Sequence, residues 1–136
     1  MANIAINRLY ARAKDTCNTQ GGGTGRFDRQ FVDSVNDAAA RINRQADLET
    51  RITRISSTSG TLALSDEYED VVFILVVQGL RFAGQRVRKE MIPWIEKQMQ
   101  EIDDKIDDIR QDILNQAVDD DTDDETDFVG LGALNE

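Results

Sequence analysis

With 136 residues the chain suits one domain, able to bury about two-thirds of the surface it exposes when unfolded. Its formal charge of −10, from 16 basic and 26 acidic residues, argues against non-specific nucleic-acid binding, which needs a basic surface to release phosphate counterions. No histidine and a single cysteine, Cys17, exclude Cys/His zinc sites, imidazole acid–base catalysis and an internal disulfide, and the lone thiol suits a reducing cytoplasm.

Met1-Ala2-Asn3-Ile4 lacks the charged-then-apolar pattern of a signal peptide. The longest apolar run, Val71–Val77, is too short to span a bilayer. A soluble protein that starts in a cytoplasm and has no membrane partner is expected. Its charge is uneven: +3 over residues 1–60, −5 over 61–115 and −8 over 116–136.

Ile6, Leu9, Tyr10, Ala13 and Cys17 recur at helical steps and predict a first amphipathic helix, which ends at the glycines of Gln20–Gly25. That run lacks the Lys-Ser/Thr of a phosphate loop and follows a helix, so it reads as a connection. Asp28 suits the N-cap of a second helix, with Phe27 and Val32 as a hydrophobic staple. Phe31, Val35, Ala38, Ala39 and Ile42 form its buried stripe, with Asn36, Asp37, Arg41 and Arg44 largely opposite.

Between about 50 and 64 the texture changes. Arg51–Ile55 is β-branched, Ser56–Gly60 is turn chemistry and Thr61–Leu64 alternates, which predicts a short hairpin resting on the helices or on a neighbouring subunit. Arg51 and Arg54 read as solvated charges beside its turn.

Ser65 and Asp66 open a third helix, whose acidic start, Glu67, Glu69 and Asp70, complements the helix dipole better than it suggests acid–base chemistry. Val71–Val77 is apolar around the whole circumference and needs cover on all sides, part of it from a second copy. Gly79, Ala83 and Gly84 offer flat places for another helix, and Arg86, Arg88 and Lys89 close the element. Pro93 places the start of a fourth helix near Met91. There Ile92, Ile95, Met99, Ile102, Ile106, Ile109 and Ile113 form a narrow seam with heptad spacing over a length of roughly 33 Å. At three heptads it is short for an independent coiled coil, so packing on the core or on a neighbouring subunit is favoured. Cys17 reads as a small buried hydrophobe and Trp94 as a packing residue.

Asp119–Asp127 repels itself and is out of register for a calcium loop. It gives way to an apolar tip, Phe128, Val129, Leu131 and Leu134. An acidic tether with such a tip has the form of a docking peptide, and these four residues are the candidate partner-binding site. Val72, Phe73, Leu75, Val76, Ile102, Ile106, Ile109 and Ile113 are the candidates for packing between subunits. No catalytic, cofactor or metal residues are identified.

The order of parts, with Phe27-Asp28-Arg29-Gln30-Phe31-Val32-Asp33-Ser34-Val35-Asn36-Asp37-Ala38 before the β segment and Leu64-Ser65-Asp66-Glu67-Tyr68-Glu69-Asp70-Val71-Val72 after it, resembles the head-to-tail connector (adaptor or head-completion) proteins of tailed bacteriophages. The resemblance covers about residues 3–90. It implies a non-enzymatic virion protein, assembled in the host cytoplasm and sited at the head–tail interface. Such a protein forms a homo-oligomeric ring, a dodecamer by analogy, bound to the portal protein and to a tail or nozzle protein. DNA would pass through the lumen without specific binding, and an acidic lumen would keep it sliding. The alternatives are a small helical coiled-coil interaction or regulatory protein and an acidic nucleic-acid mimic. The expected architecture is mainly α: a four-helix adaptor domain over residues 1–115 with the hairpin at about 50–64 and a long C-terminal helix, then an extended acidic arm over 116–136.

Overall fold

Seven successive apolar residues are stable in water when a helix carrying them is enclosed, and the computed structural model encloses them. It describes residues 3–17, 25–46, 48 and 54–125, with side chains as far as Gln116. In chain order the elements are β1 (Asn3–Ala5), α1 (Ile6–Thr16), α2 (Gly25–Gln45), β2 (Thr61–Ser65), α3 (Glu69–Phe82), α4 (Ile92–Gln100) and α5 (Ile102–Glu125). Short 3-10 turns at Asp66–Tyr68 and Lys89–Met91 lead into α3 and α4. The fold is mainly helical with one short antiparallel β pair.

Helix α3 is central. Val71–Val77 and Leu80 are all buried, against α1, α2, α4 and α5. Each such side chain contributes roughly 1.5–3 kcal/mol of transfer free energy, an upper estimate because unfolded chains already bury some surface. The cover that the sequence assigned partly to a second copy comes from this chain's own helices. At Gly79 the backbone of α3 meets α2 so closely that a Cβ would lie 2.8 Å from Ser34 Oγ.

The third helix is shorter than its apolar pattern suggests. It ends at Phe82, where Gly84 takes φ +98° and the amides of Gly84 and Gln85 bond the carbonyls of Arg81 (3.1 Å) and Leu80 (2.9 Å). This is a Schellman motif, and its glycine terminates the helix before Arg86, Arg88 and Lys89 are reached. Gly84 is thus the stop signal and not a landing place for another helix. The chain then folds back over the end of α1, with Val87 buried and the Arg88 amide bonded to Thr16 O at 2.9 Å.

The two-stranded pair is present with a different partner. Thr61–Ser65 pairs antiparallel with Asn3–Ala5, matching Ile4 to Leu62, with an irregularity between Asn3 and Ile4. Ile4 and Leu62 are both buried, so the pair seals one side of the core. Arg51–Thr53 lie outside the described residues, and Arg54 and Ile55 are not strand. The physical reason is the spacing of Ile52 and Ile55, which a regular strand sends to opposite faces, whereas Ile4 and Leu62 both face the helices.

Two helix boundaries also shift. Helix α2 begins at Gly25, which puts Asp28 inside its first turn instead of at the N-cap. The expected fourth helix divides at Glu101, a single residue with φ −104° and ψ 5° between α4 and α5. The seam continues through the break: Ile95, Ile102 and Ile106 are buried, and Ile92, Met99, Ile109 and Ile113 pack half-buried against the same core. Finally, α5 runs on to Glu125, so residues 117–125 are helical backbone rather than an extended arm. Adding residues to an existing helix costs far less than nucleating one, and the buried Ile102–Ile113 segment supplies the nucleus.

Candidate interaction surface

The charged groups near the start of α3 are tied to α1. Arg8 forms a two-pronged pair with Glu69 at 2.8 and 3.1 Å. Arg12 lies 3.2 Å from Asp70 and stacks 4.0 Å over the Phe73 ring. Glu69 and Asp70 therefore serve the packing of α1 on α3, together with the dipole of α3. On the opposite side Arg41 (3.1 Å) and Gln45 (2.7 Å) both donate to Asp103, and these bonds hold its carboxyl below the usual range. The Arg110 guanidinium donates to Ala46 O at 2.7 Å, so α5 caps the end of α2. Acidic α5 is thereby fastened at its root to the basic face of α2.

Two groups have displaced acidities for local reasons. The Tyr10 hydroxyl donates to the Asp28 carboxylate, which pushes its pKa up to about 12. Burial pushes the Cys17 thiol up to about 11, as expected of a small enclosed hydrophobe. Among the described residues no cluster of His, Cys, Asp or Glu is arranged to hold a metal ion, and no helix is long and apolar enough to cross a membrane.

Val72, Phe73, Leu75, Val76, Ile102 and Ile106 are buried within the single chain, and Ile109 and Ile113 pack half-buried on its core. These side chains hold the subunit together and leave little surface for a neighbour. Among the described residues the exposed large apolar side chains are elsewhere: Phe82 at 79 %, Leu114 at 44 % and Trp94 at 40 %. Trp94 rests against Phe73 with ring centroids 6.5 Å apart, which agrees with a packing role. Phe82 has no such shelter. It edges a groove between α2, α3 and α4 whose lining includes Ser34, Ala38, Leu75, Gln78 and Met99. The amide oxygen of Gln78 is buried there without a hydrogen-bond partner among the described residues.

Leu114, Asn115 and Gln116 are exposed, and the helical backbone continues to Glu125, about 17 Å further on. The candidate tip, Phe128, Val129, Leu131 and Leu134, lies outside the described residues, as does the glycine run Gly21–Thr24.

Two positions escaped the sequence reading. Asn36, placed by periodicity on the polar face of α2, is buried and holds Ile55 by both backbone groups, with Ile55 N to Oδ1 at 2.8 Å and Nδ2 to Ile55 O at 3.1 Å. No local pattern separates such a clasp from a solvated Asn. Phe82 is the last residue of α3, and the glycine two positions later is the sequence signal that it stands at a helix end. Comparison of the chain with protein-family profiles, curated proteins and solved structures gives no match.

Proposed function

We propose that the protein is a structural assembly subunit of the head–tail adaptor type. Copies would form a ring beneath a phage portal, extend the DNA channel and offer a platform for a tail or nozzle protein. The observation that carries the reading is the division of labour along the C-terminal half. Residues up to Ile113 complete the subunit's own core, whereas Leu114, Asn115 and Gln116 are exposed and the helical backbone continues to Glu125 along an acidic run that an apolar stretch follows in the sequence. An acidic helix followed in sequence by an apolar segment is suited to joining one large component to another. The six acidic residues between Asp119 and Glu125 repel a phosphate backbone and so favour its sliding past.

The coiled-coil alternative is weakened by the seam, since Ile95, Ile102 and Ile106 are already committed to the core. An acidic nucleic-acid mimic would have no need of the tip. Electron microscopy of the purified protein mixed with portal protein tests the proposal. Rings seated on the portal are expected, and a stable dimer that never forms rings with portal present would overturn it. In a nucleic-acid mimic, replacing the tip would leave binding intact and strongly salt-dependent.

A further inference from the structure

Trp94 packs on Phe73 and also lines an open cleft of about 490 Å³ between α1, α3, α4 and α5. Val71, Ile74 and Ile109 give the cleft apolar surface, and the indole beside them stays 40 % exposed. The charged groups of the lining divide into satisfied and unsatisfied ones. Arg12 and Asp70 pair with each other at 3.2 Å. Glu67, Asp108 and Lys105 line the cleft without an ion pair among the described residues. Two carboxylates thus stand against one ammonium. Helix α5 adds more charge of the same sign, since Asp104 and Asp107 are exposed, whereas Asp103 and Arg110 are already engaged by α2 and Ala46. The cleft therefore combines an apolar, aromatic surface with an excess of negative charge.

One guanidinium of the chain already uses such a surface. Arg12 lies 4.0 Å over the Phe73 ring while its Nη1 reaches Glu69 at 3.6 Å and Asp70 at 3.2 Å. Trp94 is the next ring in that row, and among the described residues no cation stacks on it. Tryptophan is the strongest aromatic platform for a cation. A planar guanidinium stacks on a ring and forks to a carboxylate at once, and its aliphatic stem covers apolar surface. An anion would face both free carboxylates with a single ammonium to hold it. We infer that this cleft receives an arginine side chain, flanked by apolar residues, from a partner protein. The site is complete within one folded chain, so it depends neither on ring formation nor on residues beyond Glu125.

Trp94 is the single tryptophan of the chain, so its emission reports on the cleft directly. The test titrates the full-length protein with an acetylated, amidated Leu-Arg-Leu peptide. A saturable change in emission is expected, and added salt is expected to weaken it. The same peptide with citrulline keeps the shape, loses the charge and is expected to bind at least about fivefold more weakly. Asp108→Asn and Glu67→Gln are each expected to lower affinity about threefold, and Lys105→Gln to raise it by a similar factor. Asp108 is exposed, so its variant keeps the fold, which circular dichroism verifies. The inference is overturned by the absence of any saturable change up to ~10 mM peptide, by equal binding of the citrulline peptide, or by an Asp108→Asn chain that binds as tightly as the parent. A Leu-Glu-Leu peptide that binds instead, and loses its affinity in Lys105→Gln, would assign the cleft to an anion and overturn it equally.

Discussion

Helices α3 and α5 are the apolar and the acidic extreme of the fold, one enclosed and the other held by a narrow stripe of isoleucines. Helix α3 is apolar on every side, and four other helices surround it. Helix α5 carries a stripe one side chain wide, which holds it to the body as far as Ile113 and then stops. The width of the apolar stripe sets how many neighbours a helix needs.

Substitutions can break or sharpen that contrast. Ile74→Ala in α3 is expected to cost about 2–5 kcal/mol in urea unfolding, while Leu114→Ala in α5 stays within about 0.5 kcal/mol. A Leu114→Ala loss as large as that of Ile74→Ala would mean that the outer part of α5 is packed after all. Asn36→Ala strips both backbone partners from Ile55 and is expected to cost about 2–3 kcal/mol. Its exposed neighbour, Asp37→Ala, serves as the near-silent control. Gly84→Ala, forced to hold φ +98°, is expected to lose about 1 kcal/mol and to let the end of α3 fray, seen as faster amide exchange at Gly84 and Gln85.

Alkaline titration separates the body from the outer part of α5. A folded-state pKa raised above the unfolded value stabilises fully below the unfolded pKa and ceases to do so above the folded one. Tyr10 therefore contributes stability that is complete below pH 10 and lost towards about 12, and Cys17 loses its share between 9 and about 11. Tyr10→Phe is expected to remove a phenolate step near pH 12 in ultraviolet titration and to flatten the alkaline loss. The smallest effect belongs to α5. Aspartates crowd the negative end of the α5 dipole, so added salt is expected to raise helicity over 117–125 slightly and to leave the body unchanged.

The helical content was legible because stripes such as Phe31, Val35, Ala38 and Ile42 have a period that nothing else explains. So was the enclosure of Val71–Val77, because no helix can expose such a run. The β partner was not legible, since three residues at Asn3–Ala5 carry no pattern and their pairing depends on contacts some sixty positions away. The extent of α5 was missed because composition reports whether a segment can bury surface, not whether a helix begun upstream continues through it. For the interaction surface, the tip was visible as a change of composition. The groove was not, because Ser34, Leu75, Phe82 and Met99 come together only once α2, α3 and α4 are packed.

The pairing of β1 with β2 bears on the order of folding. Ile4 and Leu62 close a loop of nearly sixty residues, an entropic cost that grows slowly with length but must be met before the contact returns anything. On a ribosome, β1 emerges first and finds its partner only after α1, α2 and the intervening segment have appeared. The strand pair is then a late clasp over helices already in place, and changes at Ile4 should speed unfolding more than they slow folding.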